Sequence, residues 1–239
     1  MVEFTSTGDQ MLVVLGAVAQ LGPITAAEAA KACNINRTGA HRLLATLAKH
    51  HFIEKTREGY SLGAKTYELA AMARPNPISI AGPIIRELSY ACKETVSLHA
   101  PQGVNAIAVD QASYAGHLIV VQNQIGSSHP LNLAASGWAI LAFMNGRDQR
   151  AILRKLGDPL KETTTRRIAA IRTRGWEMTR DELRTGVAGL AAPVFGADGN
   201  CVGCVVIIVP TIRVERLETF TETLLQATAE ISRQLRQAG

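Results

Sequence analysis

The stretch Asn36-Arg37-Thr38-Gly39-Ala40-His41-Arg42-Leu43-Leu44-Ala45-Thr46-Leu47 decides how the first part of this chain is read. Ala40, Leu43, Leu44 and Leu47 recur at helical spacing, so one side of a helix is apolar. Arg37, Thr38, His41, Arg42 and Thr46 fall on the other side. Asn36 suits the N-cap, because its side chain can accept a backbone N–H of the first turn. The spacing predicts a helix from Arg37 to His50. Upstream, Asn34-Ile35-Asn36 is a short turn after an alanine-rich helix that ends near Cys33. Thr25-Ala26-Ala27-Glu28 opens that helix with a capping box. Earlier still, Met11, Val14, Leu15 and Val18 line a first helix, with Asp9 as its expected start and Gly22-Pro23 as its stop. Downstream, Phe52–Thr56 and Tyr60–Leu62 bracket Arg57-Glu58-Gly59 and read as a hairpin. Helix, short helix, tight turn, polar-faced helix and two-strand wing make a winged helix-turn-helix.

The second helix of such a motif enters the major groove by its N-terminus, so its leading residues must donate to base edges and phosphates. Arg37, Thr38, His41 and Arg42 stand there. An arginine can hold guanine O6 and N7 together, worth about 1–3 kcal/mol of discrimination. Lys55 and Arg57 on the wing would meet phosphates or the minor groove, which positions the protein without reading sequence. From Asn36 to Arg57 there are five Lys and Arg against one acid, and basic charge on both helix and wing favours DNA over a protein-binding module. The expected partner is double-stranded DNA.

The whole chain has 239 residues, enough for one large domain or two ordinary ones. Hydrophobic residues are 47% and charged residues 19%, which excludes general disorder. The longest apolar run, Val205–Val209, is far shorter than the roughly 20 residues that span a bilayer. Met-Val-Glu-Phe has no basic or apolar leader, so a cytoplasmic location without membrane association is expected. Past Gly63 a helical stretch with Tyr67, Leu69, Ala70 and Met72 is broken by Arg74-Pro75-Asn76-Pro77. The expected parts are a DNA-binding domain over 1–63, a linker helix and proline-rich break over 64–78, and a second domain over 79–239.

In that second domain Ile84–Lys93, Ser136–Phe143, Gln149–Leu156 and Thr164–Arg174 read as helices. Val96–His99, Val104–Val109 and Leu118–Val121 read as extended runs. Gly189–Phe195 and Cys201–Val209 form a hairpin across Ala197-Asp198-Gly199-Asn200. A last helix presents Leu217, Phe220, Leu224, Ala227, Ile231 and Leu235. The fold class is therefore α+β, with an antiparallel sheet flanked by helices. Of the four cysteines, Cys201 and Cys204 match C-x-x-C, but no second ligand pair accompanies them. Three apart on a strand, they are expected on opposite faces as small buried residues, with thiol or metal sensing as the alternative.

The order and spacing of these motifs resembles the IclR family of bacterial transcriptional regulators. The resemblance rests on Asn36–Leu44 and Gly59-Tyr60-Ser61-Leu62-Gly63 in the first part. In the second it rests on His129-Pro130-Leu131, Ala135-Ser136-Gly137-Trp138-Ala139, Arg174-Gly175-Trp176, Gly186-Val187 and Ala191–Phe195. It implies a GAF-like effector-binding domain, a homodimer or homotetramer, a pseudo-palindromic operator and usually a repressor role. Carried over by position, the effector-binding residues are Leu118, His129, Ala135, Ser136, Thr179, Gly189, Val206 and Ile208, with Trp138 beside them. Trp138 stands where the family usually has Lys or Arg; it either caps the pocket, packs at a subunit contact or, the favoured role, packs in the core. Members that sense small keto acids carry an acid, a cysteine and two serines where this chain has Thr179, Gly189, Val206 and Ile208. A larger, more apolar effector is expected, an aromatic acid or an amide. Backbone N–H groups near Ser136, with His129 and Ser136 themselves, would supply its polar contacts.

An enzyme is the rival class. Ser127, Ser128, His129 and Asp110 suggest a triad, but no G-x-S-x-G elbow, P-loop or dinucleotide motif is present. No catalytic residue, metal or cofactor is expected.

Overall fold

In the computed structural model, which describes residues 5–72, 77–157 and 161–238, the capping box at Thr25 is closed in both directions. Glu28 N–H donates to Thr25 Oγ1 at 3.3 Å and Thr25 N–H donates to the Glu28 carboxylate at 2.8 Å. That cap opens helix α2, Ala26–Ala32, which follows α1, Ser6–Leu21. The first helix begins three residues before the expected Asp9, leaving that carboxylate in the first turn where it meets the positive helix end. Helix α3, Arg37–Lys49, starts at Asn36, whose side chain accepts Gly39 N–H at 2.6 Å. Val14, Val18, Ala29, Leu43, Leu44, Leu47 and Ile53 form the core between these helices and the wing.

The wing pairs β1, Ile53–Lys55, with β2, Tyr60–Leu62. Ile24 bridges the other edge of β2, exchanging N–H···O bonds with Tyr60 at 3.0 and 2.8 Å. Gly59 has φ +148°, and a Cβ there would lie 2.6 Å from the Ile24 carbonyl oxygen, so the turn needs a glycine. Helix α4, Ala64–Met72, follows. This is a winged helix-turn-helix.

Contacts divide the chain into two units, Met1–Arg74 and Pro75–Gly239. Of the expected break, Arg74, Pro75 and Asn76 lie outside the described residues. Pro77 does not break a helix but begins one. Helix α5 runs Pro77–Cys92, seven residues earlier than the expected Ile84, so the expected boundary at 78/79 falls inside it. A first-turn proline has no intrahelical N–H to lose. Pro83 sits further along without ending the helix.

The second unit is built on a six-stranded sheet in the order β5-β4-β3-β8-β7-β6, antiparallel throughout. The strands are β3, Thr95–Gln102; β4, Asn105–Ala112; β5, Ser128–Pro130; β6, Glu177–Arg180; β7, Val187–Phe195; and β8, Cys201–Pro210. Helices α6, Ala134–Phe143, α7, Gly146–Lys155, and α8, Glu162–Arg174, cover one side. The other side carries α5, a 3-10 stretch over Thr211–Phe220 and α9, Thr221–Ala238. The expected single last helix is thus two elements, with Leu217 and Phe220 on the first. Strand β8 is apolar on both faces because both are covered. Val205, Ile207 and Val209 pack towards α5 and α9, while Cys204, Val206 and Ile208 pack towards α6.

The sheet departs from expectation at three strands. β5 and β6 are too short and polar to have been visible as strands. Leu118–Val121 is not a strand; it lies in the irregular connection from β4 to β5. Arg213, held in a two-pronged ion pair with buried Glu94, also donates to the Ile119 carbonyl at 3.1 Å and fixes that segment outside the sheet.

Candidate functional site

In the first unit the side chains of Arg37, Thr38, His41 and Arg42 are all exposed on α3. Lys55 and Arg57 are exposed at the end of β1 and in the wing turn. Among the described residues no carboxylate pairs with Arg37, Arg42, Lys55 or Arg57. Ala40 and Leu44, on the opposite side of the same helix, are fully buried. Burial of that face orients the other, and leaves its cations free for a polyanion.

In the second unit a cavity of about 100 Å³, about 750 Å³ with its mouth included, opens between the sheet and the start of α6. Val206, Ile208 and Gly189 form an apolar floor from β8 and β7, with Ala135 of α6 above. A Cβ on Gly189 would meet Val206 at 3.3 Å and Ala135 at 3.6 Å, so glycine here preserves the space. His129 and Ser136 line the polar side. His129 Nδ1 lies 3.0 Å from the Pro130 carbonyl, which can only accept, so that nitrogen carries the proton. Nε2 then accepts the Ser136 hydroxyl at 3.0 Å. The two polar groups expected to receive a ligand therefore satisfy each other first. Burial holds His129 below the usual imidazole range.

The helix start is occupied in the same way. Ala134 N–H donates to the Glu182 carboxylate at 2.7 Å, and Ala135 N–H donates to Thr179 Oγ1 at 2.9 Å. Seven expected residues thus come together around one cavity: His129, Ala135, Ser136, Thr179, Gly189, Val206 and Ile208. Two do not. Leu118 is fully exposed in the irregular segment, because no sheet edge takes it up. Trp138 does not line the cavity; it is 5% exposed, packed in the core, with the Arg167 guanidinium 4.3 Å from its ring centroid.

His99, Asn123, Glu182 and Arg184 line the cavity without having been expected there. Asn123 Nδ2 approaches His99 Nε2 at 3.4 Å, and this places the His99 proton on Nδ1, which is buried without a partner. Burial, and then the neighbouring His129 ring, push His99 down to about 3. Arg184 is exposed at the mouth, and no carboxylate among the described residues pairs with it. His99 was visible only as the end of an expected extended run, and Glu182 and Arg184 only as members of the Arg147–Arg184 stretch, with eleven Lys and Arg against six acids.

Cys201 and Cys204 lie towards the same helical layer, not on opposite faces. A bulge opposite Val194/Phe195 inserts one extra residue between them and restores the phase. Burial raises the Cys201 thiol to about 11 and Cys204 well above its usual range, so neither is a ready thiolate. Among the described residues no group of three or more His, Cys, Asp or Glu could hold a metal. The suggested triad is not assembled: His129 faces Ser136, whereas an Asp110 carboxylate oxygen accepts Gln111 N–H and lies towards Gly82 of α5 across the sheet. No helix among the described residues is long and apolar enough to cross a membrane.

Residues 9–57 match the model of the IclR helix-turn-helix domain, and residues 69–233 match that of the bacterial transcriptional regulator IclR C-terminal region. The HTH-type transcriptional regulator BhcR of Paracoccus denitrificans is 25% identical over 94% of this chain and 85% of its own. The crystal structure of an IclR regulator from Alicyclobacillus acidocaldarius superposes with a TM-score of 0.81 at 22% identity, covering 97% and 99% of the two chains. An IclR homologue from Microbacterium hydrocarbonoxydans, complexed with 4-hydroxybenzoate, superposes with a TM-score of 0.82 at 18% identity over 98% and 100%. With both halves matched in order, and with an exposed cationic helix beside a winged hairpin, the chain belongs to the IclR family of transcriptional regulators, DNA-binding proteins that are not enzymes.

Proposed function

We propose that this protein is a repressor released from its operator by a monocyclic aromatic carboxylate. The observation that carries this reading is the cavity: an apolar floor of Val206 and Ile208 under an unpaired Arg184 at the mouth. The floor offers no hydrogen bond to a small keto acid but presents an apolar face to a ring, and the enclosed space of about 100 Å³ continues into an open mouth that can take the rest of a ring and its acid group. The solved fold neighbour complexed with 4-hydroxybenzoate belongs to the same ligand class. Arg37, Thr38, His41 and Arg42 read the major groove, and Lys55 and Arg57 hold the backbone.

The first domain spans 1–63 and α4 belongs to the linker, and the effector domain opens with α5, which starts at Pro77. Leu12 and Leu21 of α1 and Tyr67 and Met72 of α4 are exposed apolar side chains, which a homodimer through this region would cover. Paired reading helices then demand a pseudo-palindromic operator. The ligand shifts the pair between two spacings only by its differential affinity for them. A thermal-shift series with benzoate, 4-hydroxybenzoate, benzamide and glyoxylate tests the reading. A ligand at 100 times its Kd adds about 2.7 kcal/mol of stability. Stabilisation by the aromatic acids, with release of operator DNA in a gel-shift assay, is expected. Stabilisation by glyoxylate alone contradicts it.

A further inference from the structure

Glu182, in the connection from β6 to β7, lines the cavity and takes the first backbone N–H of α6. One of its carboxylate oxygens accepts the N–H of Ala134, the first residue of α6, and the other meets Arg167 Nη1 at 2.8 Å. Ala134 has φ +60°, a conformation that L residues other than Gly, Asn and Asp rarely adopt. The next N–H of the helix is taken by Thr179. A helix start is a natural seat for an anion. Here the anion is a side chain of the protein.

We infer that Glu182 is a specificity-determining residue: its carboxylate denies the α6 start to small carboxylates, so that only an acid whose apolar body carries its carboxylate out to Arg184 is accommodated. This rests on the cavity being the effector site. Two carboxylates a few ångströms apart oppose each other's ionisation, and the cation that compensates Glu182, Arg167, is already shared with Glu177 at 2.8 Å. A two- or three-carbon acid cannot leave Glu182 and still fill the floor. A ring can rest on Val206 and Ile208 with its acid group towards the mouth, where Arg184 has no carboxylate partner among the described residues.

The test is calorimetric titration of the full-length protein, Glu182→Gln and Arg184→Gln with glyoxylate, benzoate and benzamide. Glu182→Gln retains an oxygen for Ala134 N–H, and Arg167 keeps Glu177 and its stacking on Trp138, so thermal melting is expected to confirm folding. The ratio of glyoxylate to benzoate affinity should rise about tenfold in Glu182→Gln, equivalent to about 1.4 kcal/mol. In Arg184→Gln the affinity for benzoate should fall about tenfold relative to benzamide, equivalent to about 1.4 kcal/mol. An unchanged glyoxylate-to-benzoate ratio in folded Glu182→Gln overturns the role of Glu182. Failure of the unsubstituted protein to bind benzoate overturns instead the effector reading on which it rests.

Discussion

The two units expose their polar chemistry in opposite ways. On α3 and the wing, Arg37, Arg42, Lys55 and Arg57 are exposed and unpaired among the described residues. Around the cavity several polar groups already have partners within the protein: His129 with Ser136, Thr179 with Ala135, Glu182 with Ala134 and Arg167. Among the described residues Arg184 has no carboxylate partner and the buried Nδ1 of His99 has none, while Ser127 and Ser128 also line the cavity. A surface that must meet a polyanion keeps its cations solvated until contact, when released counterions drive binding. A cavity that must choose one small molecule cannot leave many buried polar groups unsatisfied, because each costs about 1–3 kcal/mol. On the proposed reading, Arg184 is the free group that carries the selectivity.

The sharpest break in this comparison comes from removing what lies beneath the reading face. Leu44 is fully buried, and Leu44→Ala should cost about 2–5 kcal/mol in the first unit. Calorimetry should show that transition moving down, with benzoate binding by the second unit retained. Arg42→Ala leaves the core intact and should lose about 1–3 kcal/mol of specific operator binding. A gel-shift titration that finds operator affinity unchanged removes Arg42 from the reading face.

The cavity responds to acid where the reading face has no comparable buried group. Unfolded imidazoles titrate near 6.5 whereas His99 is held at about 3. Below about 6.5 the unfolded chain binds a proton that the fold refuses, so stability falls as pH drops from there towards 3. His129, shifted in the same direction by burial, adds to this. Thermal melts between pH 7 and 5 should show a decline of a few degrees, reduced in His99→Gln. The smallest effect belongs to the wing. Lys55→Ala should weaken all DNA sequences alike and flatten the salt dependence by about one unit of log-log slope. A change in sequence preference would show that Lys55 reads bases.

The winged half was legible because its signals are local. A capping box spans four residues, Asn36 caps the helix it precedes, and the apolar spacing of α3 leaves one side for Arg37, Thr38, His41 and Arg42. Where the local signal was ambiguous, the structure decided otherwise. Pro77 begins a helix, the Leu118–Val121 run is no strand, and a bulge brings Cys201 and Cys204 to one face. The Leu118–Val121 segment is held by Arg213, 94 residues away, and the bulge is set by how β8 pairs with β7; spacing along one segment sees neither.

Sequence alone determined the α+β class, the winged motif with its cationic side, and the apolar character of Val206 and Ile208, because these follow from side-chain chemistry and short-range periodicity. Only the tertiary structure decided which polar groups of the cavity are spent and which are free. Glu182 lies 48 residues from the Ala134 N–H it occupies, and Thr179 lies 44 from Ala135. Hydrogen-bond partners at that separation are chosen by the packing of α6 against the sheet, and no local pattern encodes the choice.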